Sequence, residues 1–571
     1  MGSQRPLDTV RGIVDAVWRD GDTTDTRKVW VHPQMSGVDI DLTVFTTDTV
    51  PGTQNRSVDF HELYWAHHMS ETKTVAVLMW LFELARKGPR LRPDMGALWW
   101  AGGIFLSLVV FSLSLLFLRA TVMFTGIGER PNWIVSGTSA MLLIGAALAA
   151  LTAHRKRAVQ LRNYAGMAAL ILAIVLVMAS LAQSAAVVNY FLPTAVALIA
   201  MLFLMGRPWG LILFLLTYIL SAIFELVVVV PLTGRFDSLD VIWPWKLDSP
   251  ICAAASVVIL GVYAVINVAF LQPYLGDAAR YFRNAPGNVM VRRAIRKDAV
   301  ETIEQLHTCG KYDRIVVVAH SLGTAVAYDM LRSYFGRICG QLPADPKLFG
   351  REFQDVDSGR FNRAALRRSG RTIIRRMAQI EEEDRLAREK AGESKELQAS
   401  GVKAWLVTDF VTLGSPLTHA RFFLCDGRDY KELRHDFRRR KLEREAPTCP
   451  PLQIDHDGLL TFFNPRTRSR QIHNGAMFAL TRWTNIYFPM FNLLWGDAIG
   501  GKVSNLFGWG AVDAPVSVAD PPVNSFFAHV RYWDIAARLG RSAPHIVALR
   551  DALDLADSGI ADDWPHARAN L

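Results

Sequence analysis

The sequence predicts an α/β protein, a mostly parallel sheet flanked by helices, interrupted by an all-α transmembrane bundle of about six helices. Three observations predict it. Long apolar runs dominate residues 98–271. Beyond them, short β-branched runs alternate with helical segments. One of those runs ends in a serine-centred turn with a helix behind it. The chain has 571 residues, too many for one ordinary core. With 51% hydrophobic and 20% charged residues, apolar and polar blocks are expected to lie apart. The expected organisation is residues 1–95 as the N-terminal part of the α/β domain and 96–272 as the bundle. Residues 273–571 form the main α/β domain, with a charged helical insertion at about 351–400.

The bundle is read from run length. Leu98–Leu118, Ile134–Ala153, Leu211–Leu232 and Ile251–Leu271 each approach the roughly 20 residues that cross a bilayer as helix. Ala165–Met205 is longer, is broken by Gln183, Ser184 and Asn189, and reads as two spans joined by a short turn. Six such runs in succession argue against buried soluble helices. Flanking charge sets the orientation. Arg86, Lys87, Arg90 and Arg92 precede the first run, Arg155, Lys156, Arg157 and Arg162 lie between the second and third, and Arg280, Arg283, Arg292, Arg293, Arg296 and Lys297 follow the last. The alternate loops are poorer in cations, so the positive-inside rule places both termini and the α/β domain in the cytoplasm, on the inner membrane. An even number of spans agrees. Glu225 within the fifth run reads as a carboxyl held between helices, and Trp243 and Trp245 read as interfacial anchors.

Composition excludes other classes. The five cysteines (Cys252, Cys309, Cys339, Cys425 and Cys449) are scattered, without a CxxC pair or zinc-spaced Cys/His cluster. No disulfide framework and no metal site are expected, and a reducing compartment fits. The net charge of +10 sits largely beside apolar runs, and no nucleic-acid-binding motif accompanies it. Nucleic acid is therefore not an expected partner. No phosphate loop, dinucleotide fingerprint, EF-hand or HExxH is present, and nothing requires a cofactor.

Chemistry enters at Arg314–Tyr334. Arg314–Ala319 (RIVVVA) reads as a buried parallel strand, His320-Ser321-Leu322-Gly323 as a tight turn, and Thr324–Tyr334 as a helix. This is the setting of a nucleophile elbow of the α/β-hydrolase type, here A-x-S-x-G with Ala319 and Gly323 as the small flanks. Such a turn lifts the Ser321 hydroxyl out of the sheet and aims the Leu322 amide at a developing oxyanion. A serine needs a base, and the base an acid, in the chain order Ser, acid, His. Thr484–Tyr487 reads as a strand, and Asp497 in the following Gly496–Gly501 loop is the favoured acid. His529, before a C-terminal helical segment, is the favoured base. Asp457, Asp513 and Asp520 are rival acids, and His419, His456 and His473 rival bases. Ser415, in TLGSPL at Thr412–Leu417, reads as a second, exposed serine at a strand end near the site.

These segments resemble a family of bacterial lipase-like α/β-hydrolases of largely uncharacterised substrate. The resemblance rests on Gly276–Tyr328, VTDFVTLGSPLTHARFF at Val407–Phe423, RWTNIYFP at Arg482–Pro489 and AHVRYW at Ala528–Trp533. It implies a Ser-Asp-His triad at Ser321, Asp497 and His529. Gly2–Trp18 resembles the family segment that follows a first strand and its His-Gly turn, and Val58–Met69 resembles the next strand. The resemblance thus implies a bundle inserted within the hydrolase fold, and an oxyanion donor from the N-terminal loop at Gly2. It also implies that the first strand is missing, with a start codon placed too late as the expected reason and a truncated domain with impaired chemistry as the alternative.

The charge-rich stretches, a helix at Arg371–Lys395 and the run Asp436–Arg444, read as solvated faces, with anionic lipid headgroups as the functional alternative. The expected function is a membrane-anchored serine esterase acting on a lipid or acyl-ester substrate. The rival is a membrane scaffold or transport-associated protein whose hydrolase-like domain binds without turnover.

Overall fold

A computed structural model describes residues 6–18, 27–35, 41–53, 55–69, 96–125, 197–198, 201, 209–224, 226–227, 231, 250–266, 277–282, 286–390, 404–425, 430–454, 457–490, 496–497, 499–517, 528–535 and 543–560. The chain divides into two compact units. One is Met1–Glu71 together with Asp277–Leu571, and the other is Thr72–Gly276.

The first unit is α/β. Its strands in chain order are β1 (Val29–Met35), β2 (Asp41–Thr47), β3 (Asp59–His61), β4 (Ile315–His320), β5 (Val407–Leu413), β6 (Thr461–Asn464), β7 (Ser469–Ile472), β8 (Arg482–Tyr487) and β9 (Val512–Pro515). A four-stranded sheet runs β4-β5-β8-β9 with every pair parallel. Its register places Val318, Val411, Thr484 and Val512 in one row. Central strands of a parallel sheet are covered on both faces, so they need apolar or β-branched residues at nearly every position. β5 (VTDFVTL) and β8 (RWTNIY) are buried throughout, and their polar exceptions Asp409, Arg482 and Asn485 are paired, Arg482 with Asp409 and Asn485 with Thr412 and Asp513. The side-chain period of two then sorts them. Phe410 and Trp483 enter one core with Tyr328, Leu331, Trp405 and Phe478. Val411, Leu413, Ile486 and Val512 enter the other with Val14, Val17, Ile546 and Leu549.

Two helices from opposite ends of the chain build that second face. Asp8–Val17 buries Val10, Ile13, Val14 and Val17, the spacing of one helical stripe. Pro544–Leu553 buries Ile546, Leu549 and Leu553 in the same core. On the other face lie Leu322–Ile338 and Arg363–Lys390, both in the crossover from β4 to β5.

Several boundaries differ from the sequence reading. The strand before Ser321 is Ile315–His320 rather than 314–319, and the Arg314 guanidinium just ahead of it turns to Thr408 and Asp409 at the start of β5. The helix after Ser321 runs Leu322–Ile338, longer at both ends than expected. β8 starts at Arg482, two residues before the expected 484, where Arg482 pairs with Asp409 on β5. Val58–Met69 is not a strand of the parallel sheet. Only Asp59–His61 is extended, as the edge of an antiparallel β1-β2-β3 sheet that was not anticipated, and a 3-10 turn at Ala66–Met69 follows. The Asp59 carboxylate holds that edge by accepting from Thr46, Tyr312 and Lys311 at 2.7, 2.8 and 2.5 Å.

The expected solvated helix 371–395 is Arg363–Lys390, and its first half is core. Leu366, Ile373, Ile374, Met377 and Ile380 are buried, as are Arg367 and Arg371. Arg367 donates to the Trp483 carbonyl and the Thr484 hydroxyl on β8 at 3.3 and 3.0 Å. The Arg-rich composition hid an apolar stripe. The run at Asp436–Arg444 does have a solvated face: in Tyr430–Leu442, Leu433 and Phe437 are buried while Arg439 and Arg440 pair with Asp436.

In the second unit the helices Gly96–Thr125, Trp209–Phe224 and Pro250–Ile266 coincide with three of the expected apolar runs. Among the described residues no helix is long and apolar enough to cross a membrane. The run expected at 134–153, Glu225, Trp243 and Trp245 lie outside the described residues, and of the run expected at 165–205 only residues 197, 198 and 201 are described.

Candidate active site

Because β4, β5, β8 and β9 are all parallel, their carboxyl ends share one edge, where ligands of open α/β sheets bind. Ser321 directly follows β4, Gly414 directly follows β5, Asp497 lies in the loop after β8, and His529 comes after β9. Topology thus gathers residues up to 208 positions apart.

Ser321 has φ 52° and ψ −131°, the strained backbone expected of an elbow. Neighbours hold it there. The Ser321 amide donates to the Leu413 carbonyl at 2.9 Å, and its own carbonyl accepts from the Thr324 amide and hydroxyl at 2.9 and 2.7 Å. Leu322 is the first residue of the helix, so its amide belongs to the first-turn group that has no carbonyl partner within the helix. A Cβ at Gly323 would meet only Trp65 Nε1, at 4.0 Å, so close strand–helix approach does not require glycine there. Gly2 lies outside the described residues.

The Ser321 hydroxyl stands 2.7 Å from His529 Nε2. His529 Nδ1 lies 2.9 and 3.0 Å from the two carboxylate oxygens of Asp497. A carboxylate only accepts, so Nδ1 carries the hydrogen and Nε2 is left to accept from the serine. Ser321 and Asp497 are each 1% exposed and His529 6%, so this chain operates with little water to screen it.

Asp497 is held from several sides. Oδ1 accepts from the amides of Ile499 and Gly500 at 2.8 and 2.9 Å, and Oδ2 accepts from the Tyr532 hydroxyl at 2.7 Å. Burial pushes its carboxyl up, but His529, the Gly500 amide and Tyr532 outweigh burial and hold it well below the usual carboxylate range. Burial and the Asp497 charge raise the Tyr532 hydroxyl far above its ordinary value, so it stays a donor.

The backbone makes room for this carboxylate. Gly414 has φ +57°, and a Cβ there would fall 2.7 Å from Asp497 Oδ2 and 3.1 Å from His529 Nδ1. A Cβ on Gly500 would fall 2.5 Å from the same oxygen. Behind the base, His320 Nε2 donates to the His529 carbonyl at 2.7 Å. Burial and the neighbouring His529 push the His320 imidazole down to about 3, so it stays neutral.

No family model, curated protein or solved structure matches this chain. Its site therefore rests on its own geometry.

That geometry separates the favoured residues from their rivals. Asp513 accepts from Asn485 and from the amides of Val503 and Ser504, fastening a loop. Asp457 pairs with Arg444 at 2.9 Å. His473 is buried beside the Gly458 carbonyl, and His419 packs against Phe423. Asp520 and His456 lie outside the described residues. Ser415 is a correction: it is fully buried, not exposed, its hydroxyl 2.7 Å from that of Thr324 and accepting from the Leu417 amide at 3.2 Å. Its place one residue after Gly414 draws it under the elbow. Sequence reading missed Tyr532, Gly414, Gly500 and His320. Tyr532 is three residues past His529, and no linear motif marks a tyrosine that folds back onto the acid.

Proposed function

We propose that this chain is a membrane-anchored serine ester hydrolase of the α/β-hydrolase type, lipase- or esterase-like, acting through a covalent acyl-enzyme. The observation that carries the reading is the buried, continuous chain from the Ser321 hydroxyl through His529 to Asp497 at the carboxyl edge of a parallel sheet. A module that only binds ligand has no need of a strained serine aligned on an imidazole.

In the reaction, Ser321 Oγ attacks the ester carbonyl while its proton passes to His529 Nε2. The carbonyl π electrons move to oxygen, and the Leu322 amide, with a second donor from the N-terminal loop, holds that oxyanion. One such donor is worth about 100- to 1000-fold in rate. The tetrahedral intermediate collapses, the C–O bond breaks, and His529 returns its proton to the leaving alcohol. Water or a second alcohol then attacks the acyl-serine, with His529 again as base. Asp497 keeps the imidazole in the tautomer that each proton transfer needs.

Residues 96–272 supply the anchor. The large apolar runs there support a membrane location, as do the outward side chains of Leu215, Ile219, Ile223, Val258, Val262 and Val265, all exposed to what surrounds their helices. Flanking cations favour the cytoplasmic side of the inner membrane for the α/β unit. A site kept beside a bilayer favours a lipid or acylated substrate.

A fluorophosphonate probe tests the reading, because it phosphonylates only an activated serine. The full chain should be labelled in the membrane fraction and stay there until detergent releases it, and Ser321→Ala should not be labelled. Equal labelling of both proteins would remove the assignment. Labelled protein in the soluble fraction would remove the anchor.

A further inference from the structure

Away from the triad, a second group of polar side chains converges where the Ala66–Met69 turn meets the helix Pro286–Thr308. The neighbouring imidazoles of His67 and His68 lie with ring centroids 3.9 Å apart. Both direct Nε2 at one oxygen, Oδ2 of Asp298, at 4.0 and 2.6 Å. The three atoms all lie within 4.8 Å of one another. His67 Nδ1 is 2.9 Å from the Tyr64 carbonyl. A carbonyl only accepts, so Nδ1 carries the hydrogen and the Nε2 lone pair points toward Asp298. An imidazole fixed by its far nitrogen is the arrangement that metal-ligating histidines use. The Tyr64 carbonyl and the Tyr64 ring, stacked at 5.9 Å, hold His67 with that lone pair directed at the His68–Asp298 pair.

We propose that His67, His68 and Asp298 bind one divalent transition-metal ion of the zinc class. Two imidazole nitrogens and a carboxylate oxygen are a recurrent donor set for zinc, with a fourth position left to water. Bonds of about 2.0–2.1 Å at tetrahedral angles put ligand atoms about 3.3 Å apart. The observed 2.6 and 4.0 Å fall on either side of that separation, so small side-chain rotations complete the site. The three side chains are 52%, 23% and 31% exposed, which leaves water access for the fourth position. No linear spacing announces the set, because Asp298 lies 230 residues beyond His68. This revises the expectation of no metal drawn from the Cys/His pattern.

The ion would link the 66–69 turn to the helix that leads into β4. The same turn follows Trp65, whose indole nitrogen faces Gly323 at the start of the nucleophile helix. The site therefore ties down a segment that reaches the helix after Ser321 at Gly323, though the proposal does not depend on catalysis.

The test is a titration of tag-free, EDTA-stripped, full-length protein with Co2+, followed by competition with Zn2+. One equivalent of Co2+ should bind with the strong visible absorption of a four-coordinate site, and Zn2+ should displace it. His67→Ala and Asp298→Ala should each weaken binding by about tenfold or more. Both substitutions fall on partly exposed side chains, and circular dichroism melting of the metal-free proteins reports whether each is folded. Absence of saturable Co2+ binding overturns the site. So does unchanged affinity in folded His67→Ala, which would leave only a His68–Asp298 pair.

Discussion

Asp497 carries its charge almost out of reach of water, and donors from separate parts of the chain make that tolerable. Two are amides of its own loop, one is the base it serves, and one is the Tyr532 hydroxyl, which also accepts from the Phe488 amide at 3.2 Å. Tyr532 thus joins the acid to the end of β8 while its ring packs on Phe488, with centroids 4.5 Å apart. Tyr532→Phe keeps the ring and removes both hydrogen bonds of the hydroxyl, of which the one to the charged Asp497 is worth about 1.5–3 kcal/mol. Fluorophosphonate labelling of Ser321 should slow by about tenfold, with the protein still folded by circular dichroism. An unchanged labelling rate would make Tyr532 packing only. At this scale the sequence disclosed the proposed nucleophile and not its support. Ser321 announces itself because strand, turn and helix are contiguous around it. Gly414 and Tyr532 matter only for what they meet across the sheet edge, and no local pattern encodes that.

The parallel sheet places chemistry at one end and a buried ion cluster at the other. Asp409, near the start of β5, accepts from Arg482 Nε and from Arg314 Nη2, both at 2.7 Å. Burial pushes the Asp409 carboxyl up, but the two guanidiniums outweigh it and hold it well below the usual range. Nearby, burial and the cations Arg482, Arg314 and Arg375 push the Arg371 guanidinium down to about 10. These charges fasten the amino ends of β4, β5 and β8, and removing Asp409 takes away the carboxylate that Arg482 and Arg314 share, with Asp554 and Asp557 still facing Arg371 and Arg314. Asp409→Ala should therefore cost about 3–5 kcal/mol in urea unfolding. Asp409 is four residues from Leu413, about 13 Å along the strand. Ser321 labelling of the protein that remains folded should then be near normal. A cost below about 1 kcal/mol would show the cluster to be dispensable. The strands themselves were readable from β-branched runs such as Ile315–Val318. The cluster was not, because Arg371 falls in the stretch 371–395 that reads as a solvated helix, and only the folded core shows the stripe of Leu366, Ile373 and Met377 on the same helix.

Across the whole α/β unit, segments from both ends of the chain share one core, since Val14 and Val17 pack with Ile546 and Leu549 over the sheet face. The sequence suggested an inserted block, because Gly2–Trp18 looked like part of the domain that resumes after residue 276. It gave no sign that β1 and β2 form a hairpin, since Val29–Met35 carries His32, Pro33 and Gln34 among its apolar residues. Closing this unit also buries imidazoles, and that makes its stability depend on pH. Burial pushes His307 and His473 down to about 4 and, with His529, pushes His320 down to about 3. His307 shows why the neutral form is required: Nδ1 donates to the Ile303 carbonyl at 2.8 Å and Nε2 accepts from the Leu406 amide at 3.2 Å. In the unfolded chain these rings titrate near about 6.5. Between that pH and about 4 the unfolded state holds protons the folded state lacks, so stability rises with pH at about 1.4 kcal/mol per pH unit for each proton. The stability these groups contribute is complete above about pH 6.5 and is lost as pH falls through the folded values. Asp409 and Asp497 act lower. Their folded carboxyls titrate below the usual range, so their contribution persists down to about pH 4 and fades beneath it. The urea midpoint of the full chain should fall between pH 7.5 and pH 5, before Asp409 or Asp497 is protonated. His307→Gln, which keeps a donor and an acceptor without a titrating ring, should reduce that slope by about one proton. A midpoint that stays level from pH 7.5 to pH 5, or a His307→Gln slope equal to the parent's, would mean that these histidines are not held neutral by the fold.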